Sequence, residues 1–303
     1  MLLLKRIAIA AVTLIGVLTI GALPAAAIVG GQNATQAYPG ITFLSVLYPG
    51  IGSAKCGGSL ITPWYVLTAA HCVTDEFVAP EVVAVPAEHV TVRIGSNDRT
   101  AGGIEAVAEQ ILVHPDWSWM TAAGVPVSDL ALVKLTKAVP ARLMPLGAGR
   151  VGPSDRLRLI GWGLTAFPVP PGSPLPIQLQ QRDITVLPAA ACAGGAIGAG
   201  EICTSAGACF GDSGSPALRD TGGHLRWAEF GLGSRETTDP NNPAANPCEE
   251  PIIYTNTAWP PFRAWMRDTI RAGRTGPCAH PAVRSLDAAT TKRIGSMAPR
   301  IFK

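Results

Sequence analysis

The stretch ACFGDSGSP, residues 208–216, sets Ser213 in a run of glycines, Gly211 and Gly214. Glycine backbones reach positive φ and let another chain come close. The stretch is therefore either a tight turn or a presented nucleophile, and alone it does not say which. Two other stretches bear on the choice. TAAHC, residues 68–72, sets His71 after a short apolar run and before Cys72. A lone histidine there is as readily structural as catalytic. SDLALVKL, residues 128–135, sets Asp129 ahead of an alternating apolar strand, where burial would leave its charge needing a partner. Alone, it reads as a strand-end cap. Taken together, a histidine, an aspartate and a serine can make an activated nucleophile.

The surrounding chain is written in strands. HVTVRIG alternates Val90, Val92 and Ile94 with polar neighbours, and DRLRLIGWG does the same with Leu157 and Leu159. TFLSVLY, SLITPWYVLTAA and LALVKL are further short apolar runs bounded by Gly, Pro or Asp. One helix is predicted, PPFRAWMRDTIRA, where Phe262, Trp265, Met266 and Ile270 recur at three- and four-residue steps after a Pro-Pro start. Two Pro-rich stretches, 166–176 and 236–247, cannot be interior strands. Many short strands with one late helix point to antiparallel barrels.

The first 27 residues open with Lys5 and Arg6, run apolar from Ile7 to Leu23, and end in Ala25-Ala26-Ala27. That is the pattern of a secretory signal peptide. The alternative is an uncleaved membrane anchor, since the run approaches the ~20 residues that span a bilayer. The Ala-x-Ala exit favours cleavage, hence a secreted protein without stable membrane association. The Ala-rich composition suggests a bacterial source. Residues 28–272 carry 16 basic and 20 acidic residues, while 273–303 carry six and one. The body lacks the basic balance of a nucleic-acid partner, and the basic tail reads as a flexible extension. Seven cysteines in an exported chain, without Cys-x-x-Cys spacing, favour disulfides over a metal site. The number is odd, and Cys278 in the tail is the leftover.

His71, Asp129 and Ser213 stand inside longer phrases, IVGG, CGGSLI, WYVLTAAHC, HPDW, IGWGLT, ACFGDSGSP and IIYTNTAWPPFRAW, in that order along 28–272. In these the chain resembles the chymotrypsin/trypsin family of serine proteases. The resemblance implies an all-β fold of two antiparallel six-stranded β-barrels with a C-terminal helix, the barrels meeting near 140–150. It implies a monomeric endopeptidase acting on protein or peptide substrates, with no metal and no organic cofactor. Ser213 would be the nucleophile, His71 its base and Asp129 the group that orients the imidazole. The N–H groups of Gly211 and Ser213 would form the oxyanion hole. Ile28, once a free terminus, would pair with Asp212, and a signal-peptidase cut after Ala27 would itself create that terminus. Cys56 would pair with Cys72, Cys192 with Cys203 and Cys209 with Cys248.

The same comparison places Gly207 at the floor of the substrate pocket and Ile252 on its wall. Without a carboxylate at the floor, small or modest apolar side chains are expected before the scissile bond, rather than Arg or Lys. The far wall has two alignments. One makes Ser234 the family's usual serine and puts Arg235 and Glu236 where an aromatic-glycine pair is usual; the other places Leu232 and Gly233 there. GLGS fits the strand better in the first, which leaves a charged groove. That oddity motivates the rival expectation of a catalytically weak or inactive binding or adhesion protein on the same fold.

Overall fold

The computed structural model describes residues 28–75, 82–119, 124–125, 127–170, 172–222, 226–237 and 246–275. The expected signal peptide, Cys278 and most of the basic tail lie outside them. Six strands make the first barrel: β1 (Ile41–Tyr48), β2 (Gly52–Thr62), β3 (Tyr65–Thr68), β4 (Val90–Ile94), β5 (Ile104–Val113) and β6 (Ala131–Leu135). They close antiparallel in the order β1-β2-β3-β6-β5-β4. Alternation does the sorting: Leu44 and Val46 of β1 and Val92 of β4 face the barrel core, while Ser45 and Leu47 face out. The run SLITPWYVLTAA is divided between β2 and β3 at Pro63, which has no N–H to give a ladder.

The second barrel uses β7 (Arg156–Gly161), β8 (Gln180–Thr185), β9 (Glu201–Thr204), β10 (Pro216–Asp220), β11 (Trp227–Glu236) and β12 (Ile252–Asn256). Their order, β8-β7-β10-β11-β12-β9, repeats that of the first barrel. Here the ring is joined between β8 and β9 only by the isolated bridge Val186–Thr204 and two flanking backbone bonds. The short strand Gln32–Asn33 adds to the outer edge of β8.

Between the barrels the chain runs from Leu135 to Arg156, and Met144 on the way is buried, its N–H donating to Leu60 of the first barrel. Helix α1, Pro260–Thr275, follows the second barrel and packs Phe262 and Met266 against Tyr65, Leu67 and Leu132 of the first and Leu232 of the second. None of the helices among the described residues is long and apolar enough to cross a membrane. Three disulfides are formed, Cys56–Cys72, Cys192–Cys203 and Cys209–Cys248. The first closes a sequence separation of 16, worth about 3 kcal/mol in the chain-entropy picture.

Candidate active site

His71 lies in a short 3-10 turn, Ala70–Cys72, directly after β3, and the Cys56–Cys72 disulfide ties that turn to β2. Asp129 sits just before β6, fully buried. Ladder pairing of β3 with β6 brings the two together. The backbone N–H of His71 donates to Asp129 Oδ1 at 3.0 Å, and the ring Nδ1 lies 2.8 Å from Oδ2. A proton on Nδ1 is assigned from that bond, which leaves Nε2 as the acceptor. A third donor comes from the other barrel: Ser234 Oγ donates to Asp129 Oδ2 at 2.7 Å. Burial alone would raise the Asp129 carboxyl. The His71 charge and the bonds from His71 and Ser234 outweigh it and hold the group below the ordinary carboxylate range.

Ser234 can reach Asp129 because β11 is bulged there. Gly233 pairs with Tyr254 and Arg235 with Ile253, so Ser234 is the extra residue, and a bulge re-aims its side chain. This favours the alignment in which Ser234 is the family serine.

Ser213 stands in a turn before β10, pressed against the strands that carry His71. Gly57 N–H donates to the Ser213 carbonyl at 2.7 Å. At Gly214, whose φ is +70°, an added Cβ would lie 2.5 Å from Thr68 Oγ1 and 2.6 Å from the Gly57 carbonyl. Only glycine allows that approach. Gly211 adopts φ +99°. The N–H groups of Gly211 and Ser213 bond no other described residue, and no hydrogen bond joins Ser213 Oγ to His71 Nε2.

Asp212 is buried, accepting from the N–H groups of Gly163 at 2.8 Å and Cys209 at 3.0 Å. Burial nevertheless pushes its carboxyl up to about 7, and it enters no salt bridge among the described residues. The Ile28 side chain is fully buried in the second-barrel core with Ala208 and Tyr254. Tyr254 is also where the Asp212 charge is felt: burial first, and then Asp212, push its phenol well above the usual value.

Beside Ser213 a cleft of about 410 Å³ is lined by Ala208, Phe210, Gly233, Ser234, Glu236 and Ile252, among others. Ile252 lies on the lining and is buried. Gly207 directly precedes Ala208 and Cys209, which line the cleft. With φ +149°, a Cβ on Gly207 would point at Arg182, 3.2 Å from Cδ and 3.3 Å from Nη1. Arg235 and Glu236 both lie on the cleft lining. Arg235 turns to Glu201, and the two are paired. Glu236 and the buried Asp212 are the carboxylates on the cleft that enter no salt bridge among the described residues.

Several neighbours of the site were not foreseen. The Trp119 and Trp117 rings lie tilted beside the His71 ring at 5.4 and 6.5 Å between centroids. HPDWSW held both tryptophans, but no period links them to His71. The one group of ligand side chains close enough for a metal is Cys56, His71 and Cys72, among the described residues. Both sulfurs are in a disulfide, so the set does not fit a metal ion.

These features agree with comparisons against known proteins. The family model described as Trypsin matches residues 28–245. The chain is 30% identical over 279 residues to proproteinase E of Bos taurus, covering 82% of this chain and 96% of that protein. It is 29% identical over 221 residues to the proclotting enzyme of Tachypleus tridentatus, covering 63% of this chain but only 54% of that protein. A crystal structure of an inactivated protease paralogue from the scabies mite shares the fold, with TM-score 0.62 at 20% identity, over 81% of this chain and 98% of that one. The relatives named are animal proteins and lend no support to a bacterial source. With the family match spanning most of its length, the chain belongs to the trypsin family of serine proteases.

Proposed function

We propose that the protein is a secreted, monomeric serine endopeptidase whose protease domain is residues 28–272, released by cleavage after Ala27. Ser213 Oγ attacks the substrate carbonyl while His71 Nε2 takes its proton. The tetrahedral oxyanion is held by the N–H groups of Gly211 and Ser213. His71 then gives the proton to the leaving amine as the C–N bond breaks, and an acyl-enzyme remains on Ser213. Water, deprotonated by His71, attacks that ester and frees the carboxylate product. Asp129 keeps the imidazole in the working tautomer and balances the imidazolium.

The observation that carries this reading is the buried Asp129 carboxylate, which takes bonds from His71 Nδ1, the His71 N–H and Ser234 beside the Ser213 turn. The missing Ser213–His71 bond does not count against it, because such bonds are often long without substrate. Small or modest apolar side chains before the scissile bond fit the cleft: Ile252 lies on its lining, and of the acids there among the described residues Asp212 is buried, leaving Glu236 as the more open one. The second reading, an inactive binding protein on this fold, draws on the unusual Arg235 and Glu236. A fluorophosphonate reagent separates the two, because only an activated serine reacts quickly. Labelling that is lost in Ser213→Ala supports the endopeptidase. A folded wild type that does not label supports the second reading.

A further inference from the structure

Three successive side chains of β8 hold the amino-terminal segment. Gln180 Nε2 donates to Asn33 Oδ1. Gln181 Oε1 accepts from the Thr35 N–H at 3.2 Å and from the Tyr38 hydroxyl at 2.6 Å. Arg182, the next residue, donates from Nη1 to the Val29 carbonyl. The two glutamines make neutral contacts that accompany the pairing of Gln32–Asn33 with the edge of β8. Arg182 differs in kind. It reaches past that pairing to the residue directly after Ile28, and it brings a charge.

The neighbouring acid, Asp183, is taken by Arg158, and Arg182 enters no salt bridge among the described residues. Its charge falls instead on a backbone carbonyl, where a charged donor bonds more strongly than a neutral one. The side chain runs between two backbones. A Cβ on Gly30 would stand 3.3 Å from Nη1, and a Cβ on Gly207 would stand 3.3 Å from the same nitrogen. Gly30 belongs to the amino-terminal segment, and Gly207 to the stretch that leads through Asp212 to Ser213. Val29 is gripped on both sides: its N–H donates to the Gly207 carbonyl at 3.1 Å, and its carbonyl accepts from Arg182. The Gly31 N–H closes the turn on the Ile28 carbonyl at 2.7 Å. Ile28 is thereby seated in the buried cluster that includes Ala208.

We propose that Arg182 is a positioning residue for catalysis: it clamps Val29 and braces Gly207, and so ties the seating of Ile28 to the order of the stretch that presents Gly211 and Ser213. The clamp is fixed at its base. The ladder of β8 with β7 sets Arg182 opposite Leu159, so the guanidinium starts from a barrel strand rather than from a loop. Without the charged donor the segment leaves its seat more often. While it is out, Gly207 loses the Val29 N–H and Ala208 loses Ile28, and the turn that follows them loosens. Arg182 acts through Val29 and Gly207, not on substrate. The inference rests on the reading of Ser213 as the nucleophile.

The test uses the full chain beginning at Ile28. Arg182→Met keeps a stem between Gly30 and Gly207 and removes the charged donor; Arg182→Lys returns a charged donor. Seating is read in a Ser213→Ala background, where the chain cannot cut itself. Cyanate converts the Ile28 amine to a urea only while the segment is out, and mass spectrometry of the amino-terminal peptide follows the rate. Arg182→Met should react about 10- to 100-fold faster, the equilibrium factor of one hydrogen bond from a charged donor. Arg182→Lys should fall between, and it carries the test if Arg182→Met does not fold. With Ser213 restored, kcat on a peptide substrate should drop severalfold in Arg182→Met with KM little changed, and Arg182→Lys should recover most of it. The cyanate arm needs no catalysis, so it reads the clamp independently of the nucleophile, which fluorophosphonate labelling decides. A folded Arg182→Met whose amine reacts no faster than the unsubstituted chain's overturns the proposal. So does a variant that unfolds at lower urea with amine reactivity and kcat unchanged, because Arg182 would then serve stability alone.

Discussion

Arg235 and Glu201 grip each other in a bidentate pair, Nη1 to Oε1 at 2.7 Å and Nη2 to Oε2 at 2.9 Å, across 34 residues of sequence. Glu201 is almost wholly buried and Arg235 nearly so. Breaking such a pair on one side leaves an uncompensated buried charge, at a cost of about 3–5 kcal/mol. Glu201→Gln should therefore destabilise the chain by about that much in urea unfolding. Replacing both with methionine should cost far less. Equal losses in the two variants would show that packing, rather than charge, holds this corner.

The three donors on Asp129 are unequal in consequence. Asp129→Asn should lower kcat about 10⁴-fold, because an amide no longer fixes the Nδ1–H tautomer. Ser234→Ala removes one bond to a charged acceptor, worth about 1.5–3 kcal/mol, so a fall of roughly 10- to 100-fold in kcat is expected with KM little changed. Single-turnover kinetics on an ester substrate would read both. A Ser234→Ala enzyme with wild-type kcat would mean that the bulge aims its serine to no purpose.

His71, Asp129 and Ser213 could be singled out because three phrases, none decisive alone, occur together along the chain. The strands were legible because period-two patterns such as Val90-Val92-Ile94 survive folding as one buried face. Three features were not. The bulge that aims Ser234 arises from pairing with β12, so the sequence left two alignments standing. The pairing of Arg235 was hidden because its partner Glu201 lies on a strand far away in sequence. The approach of Arg182 to Gly207 was hidden because nothing in the neighbourhood of Gly207 announces it.

Glu229 offers a pH test outside the site. It is buried on β11, its N–H bonded to Pro145 and its carbonyl to Gly147, where the chain crosses between the barrels. Neither carboxylate oxygen has a well-formed hydrogen bond. Burial pushes the group up to about 8, with Ser59 and Arg263 offsetting only part of it. The folded chain thus keeps a proton that the unfolded chain releases above its ordinary value near 4.5. Stability from this group is whole below that pH and is lost as pH rises towards 8, at about 1.4 kcal/mol per unit. Glu229→Gln should flatten the decline, leaving the share due to Asp212. Urea midpoints at pH 5, 6.5 and 8 measure it, and an unchanged slope in the variant would contradict the assignment.

Gly207→Asp is the substitution that would be expected to install cleavage after Arg or Lys. Here it should fail. The new side chain starts 3.2 Å from Arg182 Cδ, so its carboxylate pairs with the guanidinium instead of facing the cleft, and φ +149° strains any residue but glycine. A peptide-library profile of the variant should stay without Arg or Lys preference. Gain of that preference would show that Gly207 does face the substrate.

Activation by export is the last expectation. Ile28 is buried with Ala208 and Tyr254; the Asp212 carboxylate, whose charge Tyr254 feels, is desolvated and accepts from two backbone N–H groups among the described residues. Burial pushes the group up to about 7. An α-ammonium on Ile28 would supply a cation, drawing Asp212 back to the charged form and ordering the turn that presents Gly211 and Ser213. The amine, ordinarily near 7.7–8.0, would rise on pairing. The sign follows: the ordered form is favoured at lower pH and lost as pH rises through the raised amine value. Activity should thus fall on the alkaline side at a pH above 8. Amino-terminal sequencing of the secreted protein should begin at Ile28. A chain made with one extra alanine before Ile28 should lose most of its kcat while still folding, as should Asp212→Asn. If the extended chain cleaves as fast as the one starting at Ile28, the ordering of the Ser213 turn does not depend on that amine.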